Sequence, residues 1–509
     1  MRIQFLLKNT GMYERLGIMT LASVLKKNGH SVKLELTEEL GESKIISQVK
    51  DFQPHVLAYS IMTGEHVYHI DLNHMVRSHY QNALSVFGGP HPTYTPDMIK
   101  LDYVDAICRG EGEKYFLQLI NKLEKKEDYY DMPNFWFKKN DGTIVKNGMG
   151  SLVEKLDDIP FPDRKLMYEA DSSLRARGSK LFMSNRGCPY ACTYCFNHAY
   201  NKLTKGHGEM MRYRSVDSII AEIKEVKENY FLDRVNLDDD IFLLKPKGWL
   251  EEFAEKYPKE IGIPILCNVR PNMVSERVGK LLKKMNCTHV CMGIECANNE
   301  VARKLLKRAT SNEKIIEASD ILHRNNIKII TLNLVGLPVE NPLKLDFETL
   351  DFNIKIKPNF AWSSILYPYP GTELGDLAKS HGHFDSSFEK IRISNKSETA
   401  MDFGDKKLNR RINNLHKLMG VIVQFPILRP FTNFLISLPL NFFYTWLYFA
   451  FYGYKYLRQS SFKGILKTFG YYIRFYFKYV SRLEKQRVFS KAGKSKKPIR
   501  MLSWENPTK

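Results

Sequence analysis

Acidic residues are nearly absent from the last fifth of this 509-residue chain: Lys406 to Lys509 contains 21 Lys or Arg and two acids, Glu484 and Glu505. That stretch carries +19 of the total +20, so residues 1–405 are close to neutral and the basic character belongs to the C-terminal part alone. Cysteine is scarce too. Eight in this length exclude a disulfide scaffold. Glycine and proline are not enriched and no segment repeats at a fixed period, which excludes fibrous and solenoid designs. The apolar run at Ile3–Leu7 is too short for a secretory signal and reads as a first strand, so a cytoplasmic protein is expected.

What is present is the composition of a globular chain long enough for two to four domains. Residues 1–125 alternate short apolar runs (Ile3–Leu7, Val32–Leu36, Val56–Ser60, Leu84–Phe87, Ala106–Arg109) with helical segments (Gly17–Asn28, His66–Tyr80, Glu113–Lys125). This predicts an α/β domain, a doubly wound parallel sheet with helices on both faces. Phe135–Phe137 and Thr143–Val145 flank Asn140-Asp141-Gly142 as a hairpin. The Pro-rich stretch around Ile159–Arg164 reads as a linker. A second alternating block has strands at Leu181–Ser184, Arg234–Leu237, Ile265–Val269, His289–Met292, Ile327–Leu334 and Ala361–Leu366. Six such units suit a partial (β/α)6 barrel with its site at the carboxyl ends of the strands. The expected division is residues 1–149, a linker 150–175, a barrel 176–385, and a C-terminal helical, basic and aromatic region 386–509.

Three cysteines fall within eight residues, Cys188-Pro-Tyr-Ala-Cys192-Thr-Tyr-Cys195, directly after the first strand of the second block. Three thiolates bind three irons of a four-iron cube and leave the fourth iron open to chelation by an amino acid. The alternative is a zinc tetrahedron completed by His198.

This CxxxCxxC segment resembles the signature of the radical S-adenosylmethionine (SAM) superfamily, and residues 175–380 resemble its barrel. The resemblance implies a 4Fe–4S cluster on Cys188, Cys192 and Cys195 and SAM as cosubstrate. It places the backbone of Tyr194 near adenine. Asp238 and Asp239 end the second strand, where the family often has Gly-Gly-Glu to receive the methionine amine; this chain has acids there and no glycines. Gly293-Ile294-Glu295 ends the fourth strand, with Glu295 on the ribose hydroxyls. Arg308 matches the arginine on the methionine carboxylate, and Gly336 lies near adenine. A guanidinium and a carboxylate acceptor fix the orientation of such a zwitterion. Each position also has an ordinary structural reading, as helix cap, turn or surface charge.

The first domain is similar to the cobalamin-binding domain fused to such barrels. Ser60-Ile61-Met62, Gly88-Gly89 and Arg109–Glu113 carry the likeness, which implies that Ser60, Gly88 and Gly89 line a cobalamin nucleotide tail. The family's Asp-x-His-x-x-Gly is missing, so no histidine is assigned to cobalt. Residues 1–150 hold only Cys108, unlike methylthiotransferases with a second cluster there.

Residues 431–454 carry no charge but are broken by Pro439 and rich in aromatics, a mix that favours the headgroup interface. A span would export 15 basic residues after Tyr454, against the positive-inside tendency. The expectation is therefore a peripheral protein at the inner membrane face, its tail on anionic headgroups, the alternative being a helical subdomain packed on the barrel. Nucleic acid is not the expected partner, because the aromatics cluster in apolar runs. The expected activity is cobalamin-dependent radical SAM chemistry that methylates or cyclises a lipid-like or lipid-linked substrate, fed by a reductant such as flavodoxin or ferredoxin. The alternatives are a radical SAM dehydrogenase, mutase or cyclase without cobalamin, and a zinc-stabilised membrane-associated binding protein.

Overall fold

β1 (Arg2–Leu7) is buried along nearly its whole length, the pattern of a central parallel strand covered on both faces. Six further strands join it: β2 (Ser31–Leu36), β3 (Val56–Ser60), β4 (Leu84–Gly88), β5 (Ala106–Cys108), β6 (Phe135–Lys138) and β7 (Ile144–Lys146). This computed structural model describes residues 1–459 except residue 12 and residues 386, 387, 389, 390 and 392–397, together with residues 464, 470, 471 and 473. The strand order is β2-β1-β3-β4-β5-β6-β7; the first five are parallel, and the β6–β7 hairpin extends the sheet antiparallel. The order reverses between β1 and β3, so their carboxyl ends diverge into a crevice of the kind that takes ligands in doubly wound folds.

The expected elements are present within a few residues. The helix Glu42–Phe52 was not anticipated; it buries only Ile45 and Val49, too thin a stripe to read from periodicity. The connection between the domains contains two helices, Arg164–Ala170 and Ser172–Ala176, each capped by an aspartate side chain. Their Leu166, Met167, Tyr168 and Leu174 join the core of the first sheet.

The second sheet holds six parallel strands in sequential order: β8 (Ser179–Phe182), β11 (Arg234–Leu237), β12 (Ile265–Val269), β13 (Cys287–Glu295), β14 (Lys328–Val335) and β15 (Phe360–Ile365). Between β8 and β11, the short strands β9 (Asn185–Arg186) and β10 (Arg212–Tyr213) pair antiparallel and close the base of the cysteine loop. Two ion-pair groups, the first of them buried, fasten the barrel to the first domain. Arg164 bridges Glu14 and Glu222 (2.8 Å each), and Glu111 receives Arg186 (3.2 Å) and Arg212 (2.8 Å).

Beyond β15, the helix Lys406–Gln424 lies on that last strand. Gly420 passes close enough that a Cβ there would stand 3.0 Å from the Ala361 carbonyl, and Ser363 donates to the His416 carbonyl (2.7 Å). The helices Thr432–Ser437 and Asn441–Gln459 follow, burying Ile436, Tyr444 and Tyr448. Their other side is solvent-facing: Phe431, Phe434, Phe442, Phe443 and Trp446 are 46–75% exposed. Among the described residues, no helix is long and apolar enough to cross a membrane. Most of the basic tail after residue 459 lies outside the described residues.

Candidate active site

The cysteine loop begins at Gly187, whose φ of 96° belongs to the left-handed region and where a Cβ would collide with the Met210 carbonyl, so only glycine turns the chain here. The loop is then laced to the segments that follow β13 and β15. Thr193 donates from its backbone to Leu306 (3.2 Å) and from its hydroxyl to Leu305 (2.7 Å), and accepts from Leu374 (3.0 Å). These bonds draw Arg308, two residues past Leu306, up to the sulfurs.

Cys188 and Cys192 are buried and Cys195 is half-buried. Burial pushes the Cys195 thiol up to about 12 and raises Cys188; the field of Cys192 adds to both, and that of Cys188 to Cys195. Without a cation these two thiols stay protonated; a bound metal converts them to ligating thiolates. Among the described residues no three His, Cys, Asp or Glu side chains converge on one ion position. His198, the fourth ligand of the zinc alternative, pairs instead with Glu373 (2.8 Å). Three sulfurs that share one loop and one field are a donor set that fits a four-iron cluster with one iron left open.

Beside the loop, the structure brings Tyr194, Gly293, Glu295 and Arg308 together. The register of β13 on β14 slips between Gly293 and Glu295, and Glu295 takes φ 66°. This bulge swings its carboxylate out of strand alternation. Arg308 donates to the Gly293 carbonyl and to the Tyr194 hydroxyl (3.4 Å), and it lies in the field of Cys192. Burial raises the Glu295 carboxyl, while Arg308, the Tyr194 hydroxyl and Arg270 pull it back. The acceptor and the cation thus face one space beside Cys192, an arrangement that fits a ribose diol and an amino-acid carboxylate.

The two neighbouring acids separate. Asp239 is fully buried and its oxygens are consumed: they accept from the Ser184 amide (2.6 Å), the Ser184 hydroxyl, the Asn185 amide (3.0 Å) and Lys245 (3.0 Å). Both Asp239 oxygens are thus engaged within the protein, tying the end of β8 to the end of β11. Asp238, directly after β11, is exposed to solvent yet crowded by neighbouring groups. Burial and the charges of Asp239 and Asp240 hold its carboxyl up at about 6, against a bond from Asn268. Gly336 ends β14, its amide donating to both oxygens of buried Asp346 (3.2 and 3.3 Å).

On the first domain, Ser60 ends β3 and Gly88-Gly89 ends β4. Gly89 has φ 94°, and a Cβ there would meet the Ile61 carbonyl and amide at 2.8 and 2.9 Å. The turn it permits starts the helix Pro90–Tyr94, whose Tyr94 stacks on Phe196 (5.0 Å) and donates to its carbonyl (3.1 Å). Phe196 directly follows Cys195, so the Ser60, Gly88 and Gly89 edge is pinned to the cysteine loop. His91 is buried, bonds Thr63 (3.0 Å) and stacks on His66 (4.1 Å). The His66 Nε2 is buried without a hydrogen-bond partner. An orphaned polar atom at the carboxyl edge of this sheet fits a polar nucleotide tail.

Sequence reading missed Arg270, which follows β12 directly. It is 5% exposed, its Nη1 is 3.7 Å from the Cys192 sulfur, and its guanidinium lies 3.6 Å above the Tyr190 ring. A charged residue at the carboxyl end of a barrel strand was the available signal.

Residues 183–346 match the Radical SAM superfamily and residues 6–120 the B12 binding domain. The chain is 27% identical to an uncharacterised methyltransferase of Pyrococcus horikoshii, over 71% of this chain and 78% of that one. It is 23% identical to the anaerobic magnesium-protoporphyrin IX monomethyl ester cyclase of Rubrivivax gelatinosus (80% and 74%) and 24% identical to the hopanoid C-3 methylase of Methylococcus capsulatus (71% and 68%). In fold it is similar to the cobalamin-dependent SAM radical enzyme OxsB with aqua-cobalamin bound, with TM-score 0.67, 16% identity, and 92% of this chain and 72% of that one covered.

Proposed function

We propose, on the premise that this chain is a radical SAM enzyme carrying a B12-binding domain, that it methylates or cyclises a lipid-like or lipid-linked substrate while resting on a membrane face. When bound, the cofactors supply one-electron cleavage of SAM at a 4Fe–4S cluster and a transferable methyl group on cobalamin. The chain's own residues bind and orient. Cys188, Cys192 and Cys195 hold the cluster. Arg308 takes the methionine carboxylate and Glu295 accepts from the ribose hydroxyls. Tyr194 and Gly336 border the adenine, and Asp238 receives the amine. Ser60, Gly88 and Gly89 line the cobalamin tail, next to the cluster because Tyr94 rests on Phe196. A one-electron reductant such as flavodoxin or ferredoxin feeds the cluster.

One observation carries the membrane and lipid part: the exposed apolar face of the C-terminal helices, where Ile427, Phe431, Phe434 and Phe442 are 60–79% exposed. So many exposed large apolar side chains within one short stretch mark an interaction surface. The 15 Lys and Arg that follow Tyr454 select the partner, an anionic headgroup layer. The similarity to a hopanoid C-3 methylase supports the substrate class, and that to an anaerobic magnesium-protoporphyrin IX monomethyl ester cyclase supports cyclisation as the other outcome.

The test is anaerobic turnover of the reconstituted full chain with methyl-labelled SAM and a total lipid extract in vesicles containing anionic lipid. Label in the organic phase is expected for methylation. 5′-Deoxyadenosine formation with an unlabelled, altered lipid indicates cyclisation. Label only in a water-soluble product, with no flotation of the protein with vesicles, rejects the lipid reading.

A further inference from the structure

Arg270 is a cation buried to 95% that forms no ion pair among the described residues. Its Nε also lacks a hydrogen-bond partner. Its recorded polar contact is the Cys192 sulfur at 3.7 Å, and its flat face is held 3.6 Å from the Tyr190 ring, inside the same cysteine loop. Buried Arg164 and Arg212, by contrast, are paired, the first with Glu14 and Glu222 and the second with Glu111. Burying an unpaired charge costs several kcal/mol unless an anion compensates it. Glu295 feels Arg270 but is not within pairing distance, and it already faces Arg308 and Tyr194.

We propose that Arg270 is a positioning residue for the iron–sulfur cluster: beside Arg308, it is a second counter-cation of the thiolate at Cys192, stacked on Tyr190, and it raises the cluster's reduction potential. The inference rests on the cluster assignment made above. Its physical content is simple. Reduction adds a negative charge to an already anionic thiolate-bound cluster. A fixed cation and an N–H donor at one sulfur stabilise the reduced state more than the oxidised one, and hydrogen bonding to cluster sulfurs is an established control of potential. Tyr190 lies between Cys188 and Cys192, so the loop that ligates the cluster also carries the shelf that aims the guanidinium.

The experiment is a redox titration followed by electron paramagnetic resonance, on the full chain reconstituted with iron and sulfide and without SAM, comparing wild type with Arg270→Gln, Arg270→Lys and Tyr190→Leu. Arg270→Gln is expected to lower the potential by at least about 59 mV, a tenfold change for a one-electron couple. Arg270→Lys keeps the charge and stays nearer wild type. Tyr190→Leu moves the same way by a smaller step, and carries the test if Arg270→Gln holds no iron. A wild type that binds no cluster removes the cofactor assignment and this inference with it. A wild type with a cluster, and unchanged potentials in the substituted proteins that hold iron, overturns this inference alone. So does an unmoved potential accompanied by weakened SAM binding, which assigns Arg270 to the SAM carboxylate.

Discussion

Arg308 occupies the space a side chain on Gly293 would need: its Nη2 lies 2.8 Å from the position of a Gly293 Cβ, and the same nitrogen donates to the Gly293 carbonyl. The Glu295 Oε1 closes the other side at 2.7 Å. Glycine at 293 thus leaves the room in which a carboxylate and a guanidinium stand together beside Cys192. Gly293→Ala is expected to push both apart and weaken SAM binding by about tenfold or more, ~1.4 kcal/mol. Equilibrium dialysis with labelled SAM measures this, with iron content as the control.

Metal content separates the cluster from a zinc site. Cys195→Ala is expected to lose most of the iron after anaerobic reconstitution, while His198→Ala, which loses only its bond to Glu373, keeps it. Zinc bound by wild type and lost in His198→Ala is the contrary result.

Corrin uptake tests the first domain. Gly89→Ala forces a Cβ into the Ile61 backbone at a left-handed φ, so the β3 and β4 ends must part. Wild type is expected to retain hydroxocobalamin through gel filtration, read by its absorbance, and Gly89→Ala to retain far less.

Asp238 and Asp239 are expected to behave oppositely. Asp239→Asn leaves Lys245 charged and buried, and costs about 3–5 kcal/mol by the usual penalty for breaking a buried pair. Asp238→Asn is expected to leave thermal unfolding nearly unchanged and to weaken SAM binding. Differential scanning calorimetry and the SAM dialysis together read both.

Asp346 predicts a pH dependence. Burial raises its carboxyl to about 8 from 3.8. Over that interval the folded protein keeps a proton that the unfolded chain releases, so this group's contribution is full below about pH 4 and falls as pH rises toward 8. Asp346→Asn keeps an oxygen for the Gly336 amide and removes the slope. The expected result is a melting temperature difference, mutant minus wild type, that grows from pH 5 to pH 8 without SAM.

The sheets, their parallel sense and the cysteine loop were legible because each depends on a pattern within a few residues: apolar runs for the strands, hydrophobic spacing for the helices, three cysteines in eight positions. Their neighbours in space were less so. The helix Glu42–Phe52 shows a stripe too thin to stand out, and the connection after Pro162 carried helix caps at Asp163 and Asp171 that turn signals masked.

By itself the sequence determined the two α/β domains, the cluster of three cysteines and the residue types at the strand ends, since local periodicity and spacing are properties of the chain alone. Only the tertiary structure decided which of two adjacent aspartates is sealed against Ser184 and Lys245. It also decided that a bulge turns Glu295 toward Arg308, and that Arg270 reaches Cys192 across 78 residues. Those contacts depend on how far the barrel curves and which way each strand end points, and a residue's position along the chain does not encode its direction in space.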